Sequence, residues 1–298
     1  MKINWTNIAT AALATTTLLS INIRTSVAQV DETVKSGTKI NDISHKTTLL
    51  ILSDSSSGSG SLIAKEGNRC VGVTNRHVVV SDSGEVIDMV VRTYDGEIHP
   101  ISNTNWFSSE DMAIIEFECT QDYEPVTLAT YQLSPGQPVY LSGWPPSLDR
   151  TTVNRQFTSG SISTILDTPI DGYAIGYTNV TQGGMSGGQV LDEAGRLVGI
   201  HGTGALVSSQ LPVKSGFNYG IPVTTLLGRA SQNGLNYSLD VVYSSPQKPS
   251  DGTIVQAEPA PQSDPRDSVD VGNVMDDVDR TLDTIDKGGK VICGILGC

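Results

Sequence analysis

The stretch "TQGGMSGGQ", residues 181–189, holds five Gly or Ser among nine residues. Such a segment is either a flexible connection or a tight turn that presents the Ser186 hydroxyl, and the same composition serves both. The choice between them has to come from elsewhere in the sequence. "YAIGYTNV" (173–180) precedes it and "RLVGIHG" (196–202) follows, and both are short apolar runs of strand type.

The same pattern extends outward from about Thr47 to Leu239. "TTLLIL", "CVGVTN", "DMAIIEF" and "PVYLSGW" alternate with "SSSGSGS", "SDSGE", "YDGE" and "LSPGQP". Short strands with Gly, Pro, Asn and Asp between them predict an all-β fold, an antiparallel sandwich or barrel. One helix is predicted in this region, in "IPVTTLLGRASQNG" (221–234), entered through Pro222 and ended near Gly234.

Composition narrows the function. The chain has 298 residues and a formal net charge of −13. That balance repels nucleic acid and anionic lipid, so neither is an expected partner. Lys2, the mildly apolar Ile8–Ile23 run and the small residues Ser26-Val27-Ala28 read as a signal peptide over 1–28. The mature protein is then secreted or periplasmic, with no stable membrane insertion once the signal is removed. Export permits disulfides among Cys70, Cys119, Cys293 and Cys298, whose spacing does not suit a zinc site. No metal or cofactor is expected.

Residues 29–46 form an N-terminal segment, read as a possible propeptide. After Tyr243 comes a Pro-rich, polar linker, residues 244–268. In residues 269–298, Val271, Val274, Met275, Val278, Leu282 and Ile285 make the stripe of a short amphipathic helix, followed by a Cys-containing end. This flexible acidic tail has two candidate partners, its own domain or another protein. "MDDVD" (275–279) lacks the Gly and closing Glu of a calcium loop and reads as a solvated face.

Three segments carry chemistry together. "TNRHVV" puts His77 at the end of a strand, "EDMAIIEF" puts Asp111 at the start of another, and "GGMSGG" puts Ser186 in the glycine turn. A lone His after a strand is usually structural, and an Asp opening a strand is usually a turn residue. His, Asp and Ser in this order, each in its own flanking pattern, point to nucleophilic catalysis.

On these residues the sequence resembles the trypsin-like, chymotrypsin-fold serine proteases, in particular exported bacterial members of the glutamyl endopeptidase and high-temperature-requirement branches. "GSGSLIA", "TNRHVV", "DMAIIEF", "GQPVYLSGWP", "TSGSIS" and "GGMSGG…LVGIHG" occur in the order those families use. The resemblance implies two six-stranded antiparallel Greek-key barrels with a C-terminal helix over residues 47–243, split near 130. It implies a serine endopeptidase acting on polypeptides, with Ser186 as nucleophile, His77 as general base and Asp111 as its orienting carboxylate. The amides of Gly184 and Ser186 would form the oxyanion hole. The resemblance also brings Cys70 and Cys119 together as a disulfide, with two buried free thiols as the alternative.

The family places the primary specificity pocket at Val180, Thr181, His201, Gly202 and Gly204. Val180 stands where trypsins carry an acid, so a basic substrate side chain has no counter-charge. Thr181 and His201 match the pair that binds acidic side chains in glutamyl endopeptidases, which implies a Glu/Asp preference at P1. Met185 replaces the Asp of trypsin-style zymogen activation, so that route is closed. The alternative from another class is a catalytically silent or locked trypsin-fold binding or regulatory protein.

Overall fold

The strands form where the apolar runs lie. The computed structural model describes residues 33–53, 56–147, 152–206, 214–248 and 265–270. Six strands build the first barrel: β1 (Thr48–Leu52), β2 (Ser57–Glu66), β3 (Arg69–Thr74), β4 (Val90–Arg92), β5 (Ile98–Trp106) and β6 (Ala113–Glu118). They close in the order β1-β2-β3-β6-β5-β4, every pair antiparallel. Closure leaves no exposed sheet edge. Leu49, Ile51, Leu62, Val91, Ile115 and Phe117 fill one side of the interior. Cys70 on β3 and Cys119 just past β6 are joined by a disulfide, with Cα atoms 5.8 Å apart.

The second half contributes β7 (Leu128–Ala129), β8 (Pro138–Gly143), β9 (Thr152–Asn154), β10 (Gln156–Ile170), β11 (Tyr173–Tyr177), β12 (Gln189–Leu191), β13 (Leu197–Leu206), β14 (Lys214–Pro222), β15 (Val241–Val242) and β16 (Ser268–Asp270). Six of these close a second antiparallel barrel in the order β12-β8-β10-β11-β14-β13, sealed by the β12–β13 pairing. β7 and β15 extend the β13 side as parallel additions. The fold is therefore the two-barrel, chymotrypsin-like one.

Among the described residues three α-helices accompany the barrels: α1 (Gly37–Thr47), α2 (Arg76–Val79) and α3 (Val223–Gln232). α3 is the expected helix; it buries Val223, Leu226 and Ala230. Gly234 follows its end at φ 68°, the left-handed conformation that glycine adopts at helix C-termini. The sequence reading has no helix at α1. Ser36 caps it by accepting the Lys39 amide hydrogen bond at 3.3 Å. Ile40 is fully buried against the barrels, and Thr47 accepts from the buried Gln189 Nε2 at 2.8 Å. So this part of the N-terminal segment is built into the domain. Its apolar stripe is short, which hides it from a periodicity search.

A second difference lies at the other end. Residues 265–268, read as linker, return to the domain. β16 pairs antiparallel with β9, and Val269 is buried beside Leu50, Leu52, Val90, Trp144 and Val153. Asp267 accepts hydrogen bonds from Arg155 Nε at 2.7 Å and Nη2 at 3.0 Å, and from His45 Nδ1 at 2.9 Å. One apolar residue between Ser268 and Asp270 is too weak a signal to find from sequence. The signal peptide, the helix from Val271 onward, Cys293 and Cys298 lie outside the described residues. Among the described residues no helix is long and apolar enough to cross a membrane.

Candidate active site

β3 and β6 are antiparallel neighbours with Thr74 opposite Ala113. The residues just past one strand and just before the other must therefore meet. His77 sits on α2, directly after β3, and Asp111 stands just ahead of β6. Asn75 ties the two segments, donating from Nδ2 to the Asp111 main-chain carbonyl at 2.8 Å. Asp111 Oδ1 accepts the His77 backbone N–H at 2.9 Å, and Oδ2 accepts from His77 Nδ1 at 2.6 Å. An ionised carboxylate only accepts, so the proton is on Nδ1 and the neutral ring keeps its lone pair on Nε2. The Asp111 side chain is mostly buried while that of His77 is half exposed. Burial pushes the Asp111 carboxyl up, but the His77 ring and the Tyr173 hydroxyl outweigh it and hold it below the usual carboxylate range.

The glycine turn is held from the opposite barrel. Ser59 on β2 donates its hydroxyl to the Gly184 carbonyl at 2.8 Å and accepts the Trp144 N–H at 2.8 Å. Its backbone N–H donates to the Ser186 carbonyl at 2.8 Å. Gly184 and Gly187 have φ of 86° and 84°. A Cβ on Gly184 would lie 2.7 Å from the Trp144 carbonyl oxygen, and one on Gly187 2.0 Å from that of Ser59. Both positions therefore need glycine for conformation and for space. Among the described residues, neither the Gly184 nor the Ser186 amide is paired with an acceptor. The Ser186 hydroxyl donates to the Gly202 carbonyl at 3.1 Å rather than to His77.

Beside this turn lies the proposed specificity wall. Thr181 is buried and donates to Asn218 Oδ1 at 2.5 Å, while Asn218 Nδ2 donates to the Asn179 carbonyl at 2.6 Å. Gly204 is the cross-strand partner of Asn218. His201 is buried, with Nδ1 2.6 Å from the Tyr177 hydroxyl. That hydroxyl has one proton, for the Tyr219 carbonyl at 3.2 Å or for His201 Nδ1; donation to Nδ1 leaves an N–H at His201 Nε2. Burial pushes the Tyr177 phenol far above its ordinary range, so it keeps its proton. Val180 differs from the rest: it is 68% exposed.

Sequence reasoning missed four side chains here: Ser59, Tyr173, Tyr177 and Asn218. The "IDGY" turn (170–173) is the one signal that could have flagged Tyr173, because Asp-Gly between strands predicts a tight hairpin.

Residues 58–200 match the family model of the trypsin-like peptidase domain. Among solved structures the chain is similar to Rv3671c from M. tuberculosis H37Rv, a serine-to-alanine mutant in its inactive form. The TM-score is 0.52 at 17% identity, over 66% of this chain and 91% of that one. No curated protein sequence matches.

Proposed function

We propose that this chain, which carries a trypsin-like peptidase domain, is an exported serine endopeptidase. One observation carries the reading: the imidazole of His77 is anchored through Nδ1 to a buried carboxylate at 2.6 Å, and the same carboxylate accepts from Tyr173, whose ring lies against Gly202, the acceptor of the Ser186 hydroxyl. That anchoring leaves Nε2 as the base. During attack it takes the Ser186 proton while Oγ bonds to the substrate carbonyl carbon. The carbonyl oxygen becomes an oxyanion, and the amides of Gly184 and Ser186 supply the donors it needs. The imidazolium returns the proton to the leaving amine as the C–N bond breaks. Water then repeats the sequence on the acyl-enzyme, releasing the acid. Asp111 stays ionised throughout, fixing the tautomer and offsetting the transient cation.

The protease unit runs over residues 47–243, with α1 and β16 built onto it. The Cys70–Cys119 disulfide supports export, since such bonds persist in oxidising compartments. At the pocket, Thr181 and His201 favour an acidic P1 side chain. Binding it requires the Thr181 hydroxyl to leave Asn218 Oδ1 for the substrate carboxylate. The absence of an acid at Val180 removes any counter-charge for Lys or Arg.

A second reading rests on the Ser186 hydroxyl, which is paired with Gly202. If that pairing persists with substrate bound, the protein is a locked or silent member of the fold. Unliganded sites commonly show loose catalytic hydrogen bonds that tighten in the substrate complex, so the first reading stands ahead. A peptide library digested by wild type and by Ser186→Ala decides. Cleavage by wild type after Glu or Asp, with a loss of about a million-fold in Ser186→Ala, is expected. Equal inactivity of both proteins supports the locked reading. Cleavage with no preference for acidic P1 removes only the pocket assignment.

A further inference from the structure

The hairpin between β10 and β11 belongs to the second barrel, yet its tip rests on the first. Ile170 pairs with Tyr173 across a two-residue turn, with Asp171 at φ 51° and Gly172 at φ 87°. Positive φ at both central residues is the turn type whose twist matches the strands. The Asp171 carbonyl accepts the Asp111 backbone N–H at 2.8 Å. A Cβ on Gly172 would lie 2.9 Å from Glu110 Cγ, so glycine is what allows this approach.

Tyr173, the first residue after the turn, donates its hydroxyl to Asp111 Oδ2, the oxygen that also accepts from His77 Nδ1. Oδ2 then has two donors and Oδ1 has the His77 backbone N–H, so the carboxylate plane is fixed from three directions. Room for the ring comes from β13. A Cβ on Gly202 would lie 2.1 Å from the Tyr173 ring and 2.3 Å from its hydroxyl oxygen. Burial, reinforced by the carboxylates of Asp111 and Asp171 and only partly opposed by Arg76, keeps the phenol protonated, so it remains a donor.

We propose that Tyr173 is a positioning residue for the Asp111–His77 pair: its hydroxyl, carried across the cleft by the β10–β11 hairpin, holds the carboxylate in the orientation the imidazole needs. The inference rests on the serine-protease reading. A tyrosine whose ring merely packed would be replaceable by phenylalanine. One whose hydroxyl shares an ion's oxygen would not, because hydrogen bonds to ions are among the stronger ones.

The test compares wild type, Tyr173→Phe, Tyr173→Ala, and Tyr173→Ala combined with Gly202→Ser, each checked for folding by thermal melting. In Tyr173→Phe, kcat is expected to fall about tenfold, the scale of one hydrogen bond to an ion, with KM within about twofold. With one donor gone, Oδ2 carries more charge toward His77. The acid limb of the kcat/KM profile is then expected at higher pH, and the low-field proton resonance of His77 Nδ1–H is expected further downfield. Gly202→Ser in the Tyr173→Ala background returns a hydroxyl near the vacated position, and partial recovery of kcat and of the resonance is expected.

A folded Tyr173→Phe with wild-type resonance overturns the proposal, whether or not a substrate is known. So does a failure of the added serine to restore anything, since the ring's packing would then be what mattered. A wild type without peptidase activity, in which Tyr173→Phe still shifts the resonance, sinks the protease reading and leaves the positioning contact standing.

Discussion

The two sides of the candidate site are prepared to different degrees. On the first-barrel side, the Asp111 carboxylate holds three hydrogen bonds, and His77 is fixed in tautomer and orientation. On the second-barrel side, the Gly184 and Ser186 amides have no acceptor among the described residues, and the Ser186 hydroxyl is turned to Gly202. Under the proposed protease reading, the difference follows from what each side would do. Orienting a base is a ground-state task, done before substrate arrives. Donors for an oxyanion must meet a charge that exists only during reaction, so an acceptor already in place would be displaced at a cost.

Asp111→Asn attacks the prepared side and carries the larger effect. An amide in that position favours the wrong imidazole tautomer, and kcat is expected to fall about 10⁴-fold with little change in thermal stability. A drop under tenfold would mean that His77 is held by something other than the carboxylate. Gly184→Ala attacks the waiting side. The left-handed φ and the 2.7 Å approach to Trp144 force the peptide to move. Losing one donor there costs about 10²–10³ in kcat, with KM nearly unchanged. An unaltered kcat would remove Gly184 from the oxyanion role.

The smallest effect tests a region remote from chemistry, where the chain returns as β16. Asp267 is pushed up by burial, but His45 and Arg155 outweigh this and bring it down to about 2, from an ordinary 3.8. A carboxyl lowered on folding stabilises the fold above its unfolded value, and that contribution fades as pH falls through the folded one. Asp267→Asn is therefore expected to lose about 1.5–3 kcal/mol at pH 6, the scale of hydrogen bonds to a charged group. The gap to wild type narrows as pH falls from 5 toward 2. Urea unfolding at several pH values measures both. A gap independent of pH would show that the charge on Asp267 contributes nothing to the docking of this segment.

The Ser186 turn and the strand ends carrying His77 and Asp111 were legible because their signals are local. A tight turn needs glycine where φ is positive, and a strand announces itself by apolar runs. The helix α1 was not legible, since Ile40 and Ile43 alone make too short a stripe. Nor was β16, whose single buried residue, Val269, has meaning only beside Trp144 and Val153. At the pocket, the family resemblance assigned Thr181 and His201 to two separate walls without revealing their partners. Asn218 and Tyr177 reach them only because β13, β14 and β11 lie side by side.

By itself the sequence determined which runs form strands, which turns require glycine, and which three side chains are candidates for proton-transfer and nucleophilic chemistry. These are properties of a few neighbouring residues and of the backbone conformations open to them. Only the tertiary structure decided where the Ser186 hydroxyl rests, what Thr181 binds, and that Tyr173 reaches Asp111 from the opposite barrel. Hydrogen bonds act over about 3 Å, while these partners stand far apart along the chain. No local pattern brings them into range; closure and docking of the two barrels does.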